Sequence, residues 1–151
     1  MDINIREDGT QCDDLPPRDP AAEGAEKRFR ILIVDDEQDY AQTLSDRLQK
    51  KGYLTEVTFD GKNALERLAT DRYDVVLLDL NMPGMHGMDV LRRIQQSNIK
   101  VQVIIISGYA SELIRSAALL EGAFEVLAKP INFNTLSDVI QRVYLPQTPS
   151  K

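Results

Sequence analysis

Three acids, a hydroxyl and a lysine stand where apolar runs of this chain stop. Asp35-Asp36 follows Arg30-Ile31-Leu32-Ile33-Val34, Asp79 follows Val75-Val76-Leu77-Leu78, Ser107 follows residues 101–106, and Lys129 follows residues 124–128. Strands of a parallel α/β sheet end along one edge, where ligands bind, so residues at successive strand ends converge. Three carboxylates brought together repel one another, and one is expected to protonate unless a cation intervenes. Oxygen donors suit a hard divalent ion, Mg²⁺ or Mn²⁺. The single histidine, His86, and the single cysteine, Cys12, offer no cluster for zinc. An ammonium and a hydroxyl facing that metal are what a phosphoryl group needs, because its charge must be met on more than one side. A carboxylate can itself attack phosphorus and become an acyl phosphate. Asp79 is the candidate nucleophile because its strand is expected in the middle of the sheet. Any one of these residues alone reads as a helix cap, a turn former or a solvated lysine; the set does not.

The elements that position them alternate regularly. Apolar runs are expected as strands at residues 30–34, 54–59, 74–79, 101–106 and 124–128. Between and after them lie helical patterns over about 37–51, 62–70, 87–97, 110–121 and 132–144. Tyr40, Leu44 and Leu48 share one face of the first helix, and Ala64, Leu65, Leu68 and Ala69 are expected inward on the second. Val90, Leu91 and Ile94 mark the buried face of the third, and Phe133, Leu136, Val139, Ile140 and Val143 that of the fifth. Gly52 and Gly122 sit where helices one and four should end. Asp60-Gly61 reads as a turn. The first, third and fourth strands are continuous apolar runs, as strands covered on both faces should be, whereas the second alternates like an edge strand. The fold class is therefore α/β: a doubly wound five-stranded parallel sheet with helices on both faces. The expected order, 2-1-3-4-5, is one that puts the most apolar strand inside and the alternating second strand at the edge, a placement the periodicity supports without fixing the order.

Composition bounds the rest. The chain has 151 residues, 42% of them hydrophobic, enough for one domain with a two-sided core. Residues 1–28 read as a disordered acidic leader, 29–145 as the domain, and 146–151 as a short tail. The formal net charge is −6, and the leader, with eight acids against four bases, carries most of it. The domain is nearly balanced, which argues against direct nucleic-acid binding. No apolar stretch is long enough to span a membrane, and the acidic N-terminus lacks a secretory signal pattern. A lone cysteine fits a reducing cytosol.

The residues resemble the receiver domain of two-component response regulators, of the single-domain, chemotaxis-regulator-like kind. The resemblance rests on Asp35-Asp36-Glu37, on Asp79-Leu80-Asn81-Met82-Pro83-Gly84-Met85-His86-Gly87, on Ser107-Gly108-Tyr109-Ala110 and on Ala128-Lys129-Pro130, in that order and at that spacing. It covers about residues 29–145 and implies a flavodoxin-like fold. It also implies that Asp79 takes a phosphoryl group from a histidine kinase or a histidine phosphotransfer protein. Asp36 and Asp79 would ligate Mg²⁺ directly, Asn81 through its backbone carbonyl, and Asp35 largely through water. Lys129 and Ser107 would bond phosphoryl oxygens, and the Lys129-Pro130 peptide would be cis. Such a protein is a switch, catalysing only its own phosphorylation and dephosphorylation. It would meet a downstream protein through the face made by helix 4, strand 5 and helix 5, or pair with a second copy of itself when phosphorylated.

One position departs from the family. Three residues before the lysine an aromatic side chain usually stands and turns with the serine or threonine; here it is Val126. Phe124, two residues earlier, is expected on the same strand face. His86 reads as a solvent-facing loop residue, Met82, Met85 and Met88 as packing for the loop and third helix, and Tyr109 and Asn81 as neighbours of the phosphoryl group. Three other readings compete: a phosphorelay intermediate, a receiver cut from a larger regulator or hybrid kinase, and a small-molecule phosphohydrolase with an aspartate nucleophile. The last usually needs an acid two residues after the nucleophile, where Asn81 stands.

Overall fold

The computed structural model describes residues 29–144; the expected leader and tail lie outside the described residues. Five strands and five helices alternate: β1 Arg30–Val34, α1 Gln38–Lys50, β2 Leu54–Thr58, α2 Gly61–Thr70, β3 Val75–Asp79, α3 Gly87–Gln96, β4 Gln102–Ser107, α4 Glu112–Leu120, β5 Glu125–Ala128 and α5 Phe133–Tyr144. All strand pairs are parallel, in the spatial order β2-β1-β3-β4-β5. The sheet is the doubly wound one that the alternation predicts, and flavodoxin-like as the resemblance implies.

Period-two alternation sends successive side chains of each central strand to opposite faces. Leu32, Val34, Val76, Leu78, Val103 and Ile105 pack on one side with residues of α2, α3 and α4, including Ala64, Leu68, Val90, Leu91, Ile94 and Ala118. Ile31, Ile33, Val75, Leu77, Ile104 and Ile106 pack on the other with Ala41, Leu44 and Leu48 of α1 and Leu136, Val139 and Ile140 of α5. β3 is buried along its whole length. Two apolar layers thus clamp the strands and fix where their carboxyl ends emerge.

Several local expectations need correction. Asp60-Gly61 is not a free turn: Asp60 Oδ1 accepts the Asn63 N–H at 2.8 Å and caps α2, whose first residue is Gly61. Ala69 is exposed rather than inward. Strand β2 lies at the edge as predicted, but its two faces are not cleanly wet and dry. Ser45 covers Thr55 with a 2.6 Å bond, while Arg30, Arg67 and Tyr73 gather on Glu56 from the other side. Phe124 does not share a face with Val126: it packs on the α1/α5 side, and Val126 on the α4 side. Phe124 precedes the paired stretch of β5, so the pleat does not govern its direction.

Helix ends carry the remaining local instructions. Gly52, just past α1, has φ of +101°, and Gly122, past α4, has φ of +106°, the conformation in which a Cβ is costly. His86 caps α3 with Nδ1 accepting the Met88 N–H at 3.1 Å, and Ser111 caps α4 with Oγ accepting the Ile114 N–H at 3.2 Å. Met82 is buried, and Met85 and Met88 pack against the same core, as expected. No helix among the described residues is long and apolar enough to cross a membrane.

Candidate functional site

Strand register brings the expected residues to one edge. β1 and β3 run side by side to Val34↔Leu78, so the next residues, Asp35 and Asp79, are level. Asp79 in turn pairs with Ile106 on β4, and Ser107 with Ala128 on β5. Lys129 extends that ladder by donating its N–H to the Ser107 carbonyl at 2.8 Å, which delivers its side chain to the same edge. The Lys129-Pro130 peptide is cis.

Asp35, Asp36 and Asp79 each present a carboxylate oxygen within 4.8 Å of the others. Asp35 and Asp79 are each only 4% exposed; Asp36 is half-buried. The Lys129 ammonium lies 3.0 Å from Asp35 Oδ2, 3.0 Å from Glu37 Oε1 and 3.6 Å from Asp79 Oδ1. It also sits 4.8 Å from the centre of the Tyr40 ring. The other Asp35 oxygen, Oδ1, accepts the Glu37 N–H at 2.9 Å, so this carboxylate is held from both sides.

The electrostatics follow from this crowding. Burial, and then the Asp35 charge, push the Asp79 carboxyl up to about 6, although Lys129 and the Asn81 backbone N–H pull the other way. Burial works against a charged Lys129, but its hydrogen bonds to Asp35 and Glu37 and the charges of Asp35 and Asp79 outweigh it, so its pKa stands above the ordinary lysine value. One cation shared among several acids leaves Asp79 under-compensated. A cluster made wholly of carboxylate oxygens, one of them destabilised as an anion, fits a hard divalent cation, with Asp35, Asp36 and Asp79 as its side-chain ligands.

Not every predicted residue joins the cluster in the same way. Ser107 is buried, yet its Oγ accepts the Tyr109 N–H at 3.0 Å in a local turn. The Asn81 side chain is exposed, while its backbone lies against the Asp79 carboxyl. Tyr109 is 71% exposed. Two groups at the site went unforeseen as partners of the lysine: Glu37, known only as part of an acidic run, and Tyr40, known only as a core position of α1. Both fall within the first turn after the Asp35-Asp36 strand end, but nothing in the sequence pattern pairs them with the lysine. Gly87 has a further role there. A Cβ on it would stand 2.5 Å from the Asp79 carbonyl oxygen and 2.7 Å from Leu80 Cα, so only glycine lets α3 start against the backbone of Asp79 and Leu80.

Comparison with known proteins agrees with this fold. A family model described as the response regulator receiver domain matches residues 31–141. Among curated proteins, the chain is 36% identical over 115 residues to the transcriptional regulatory protein CutR of Streptomyces coelicolor, covering 76% of this chain and 52% of that protein. It is 35% identical over 118 residues to the sporulation initiation phosphotransferase F of Bacillus subtilis, covering 78% and 94%. The chain thus spans about half the length of the first of these relatives and nearly all of the second. Among solved structures it resembles the receiver domain of the Francisella response regulator 1452, with a TM-score of 0.75, 32% identity and coverage of 78% and 97%. It also resembles the Thermotoga maritima response regulator TrrA in complex with Mg²⁺-BeF, with a TM-score of 0.69, 31% identity and coverage of 76% and 98%.

Proposed function

Because this chain belongs to the response regulator receiver domain family, we propose that it is a phosphorylation-dependent switch of a two-component system, with Asp79 as the phosphoacceptor. The observation that carries this reading is the meeting of three carboxylates and one ammonium at a single sheet edge. The donor is a phosphohistidine on a histidine kinase or a histidine phosphotransfer protein. An Asp79 oxygen attacks phosphorus, the P–N bond breaks as the P–O bond forms, and the imidazole leaves with the bonding pair. Lys129 meets the charge on a phosphoryl oxygen, and Ser107 gives up its bond to the Tyr109 N–H to donate to another. Mg²⁺ or Mn²⁺ on Asp35, Asp36 and Asp79, with the Asn81 carbonyl, would neutralise charge on the acids and the phosphoryl group. The chain turns over no separate substrate and works in the cytosol.

Incubation with Mg²⁺ and acetyl phosphate, followed by intact mass, tests the reading. One labile phosphoryl adduct is expected, absent in Asp79→Asn. No adduct, together with no response to beryllofluoride, would sink it. Turnover of small phosphate esters would instead support the phosphohydrolase, which the exposed amide Asn81 already disfavours as lacking a proton donor.

The near-complete coverage of sporulation initiation phosphotransferase F favours a second reading, a relay in which Asp79 passes its phosphoryl group to a further histidine. Chase of the labelled adduct into a histidine phosphotransfer protein separates relay from terminal switch. For a terminal switch, the output surface is the face of α4, β5 and α5, where Leu113 and Leu120 are 80% and 88% exposed. A downstream protein, or a second phosphorylated copy, would cover it; sizing with and without beryllofluoride tells them apart.

A further inference from the structure

The aromatic position expected to report the acceptor's state is filled by Val126, an aliphatic side chain only 3% exposed and locked among the residues facing α4. It has no ring to turn. The ring that touches the site comes from elsewhere. Tyr40, in the first turn of α1, presents its face to the Lys129 ammonium at 4.8 Å from the ring centre. Its body packs on the core face that Ile131 and Phe133 also line, at the start of α5. Among the described residues its hydroxyl is buried without a well-formed hydrogen bond. The backbone of Ile131 acts on that hydroxyl alongside the charges of Lys129, Asp35 and Glu37. One ring therefore reaches from the Lys129 ammonium to the core face lined by the start of α5.

The lysine's position is a balance of four attractions: Asp35, Glu37, Asp79 and the ring. A phosphoryl group brings a charge of about −1.5 to −2 near neutral pH. It draws the ammonium toward Asp79 and away from the Tyr40 and Glu37 side, and a ring that has lost its cation is held only by its packing on the core face it shares with Ile131 and Phe133.

We propose that Tyr40 is a positioning residue for Lys129 and the relay that Val126 cannot be: the ring holds the ammonium in the resting protein, loses it when Asp79 is occupied, and passes the change to the start of α5. This rests on the reading of Asp79 as phosphoacceptor. The test is NMR on the full chain, labelled with ¹⁵N and with ¹³Cε-lysine, titrated with Mg²⁺ and beryllofluoride. In the resting protein the Lys129 Hε signals are shifted upfield by the Tyr40 ring, and at least half of that shift is lost on adding beryllofluoride. The Ile131 and Phe133 amides move in the same titration. In Tyr40→Leu the upfield shift is gone and the response of those two amides falls at least threefold, while the Asp79 and Leu80 amides still respond. Tyr40→Phe restores both signals, since it keeps the ring face. An unchanged Lys129 shift in the wild type, or a full Ile131 and Phe133 response in Tyr40→Leu, overturns the relay. If Tyr40→Leu does not fold, the wild-type lysine shift decides. Silence of the Asp79 and Leu80 amides in the wild type is a distinct result: it overturns the acceptor reading, and the relay with it.

Discussion

At the scale of single residues, Asp79 is held in a form it resists. Its carboxyl stands at about 6 rather than the ordinary 3.8, because it is buried beside Asp35. The folded protein therefore binds this proton more tightly than the unfolded chain does. Stability at this site is fully present below the unfolded value, falls as pH rises from about 4 to about 6, and stays lost above that. The gap between the two values corresponds to at most ~3 kcal/mol. Asp79→Asn, which cannot ionise, should raise metal-free stability at pH 7 by about 1–3 kcal/mol and bring little gain at pH 4. Urea denaturation at the two pH values measures this, and an equal gain at both would show that charge is not the cause. The residues of this cluster were legible in the sequence because each stands where an apolar run ends. The further partners of Lys129, Glu37 and Tyr40, were not. Glu37 is 92 positions away in the chain, and its approach depends on how α1 leaves β1, which no hydrophobic pattern records.

At the scale of elements, periodicity located every strand and helix, and the errors cluster at their ends. Burial repeats every two or 3.6 residues inside an element, but caps are made by single side chains folding back on the backbone. Hence His86 and Ser111 were missed as caps, and Phe124 was placed on the wrong face because the β5 pairing begins one residue later. Gly87 shows the same locality with more consequence. Gly87→Ala would press a methyl into the Asp79 carbonyl and Leu80 Cα, which are backbone and cannot move aside. A loss of about 1–3 kcal/mol is expected, with slower phosphorylation by acetyl phosphate; thermal unfolding and adduct formation report the two effects. A wild-type rate in that variant would mean that α3 does not register Asp79. α4 is the contrasting case. Ala118 is its only buried residue, and Arg115, bonded to Glu125 and to the Val126 carbonyl, ties it to β5. Its amides should exchange with deuterium faster than those of α1, which buries four residues in its core face. Hydrogen-exchange mass spectrometry checks the order, and equal protection would refute it.

At the scale of the whole molecule, the sheet concentrates like charge at one edge, so stability should depend on what neutralises it. A ligand that binds only the folded state at one hundred times its dissociation constant adds about 2.7 kcal/mol. Mg²⁺ at that excess should raise the unfolding temperature of the wild type, and Asp36→Asn or Asp79→Asn should lose most of the gain. Differential scanning fluorimetry against Mg²⁺ concentration tests this; a flat wild-type response would mean that Lys129 already balances the acids. Chain-wide, the alternating pattern made the architecture readable, because two-sided burial of a parallel sheet leaves few other solutions. The light fastening of α4 carries a different kind of consequence. Leu113 and Leu120 support no core, so folding places almost no constraint on them. With the output surface proposed above, stability and choice of partner would be written in separate residues, and the outer side of α4 could drift or be re-specified, one substitution at a time, without putting the rest of the chain at risk.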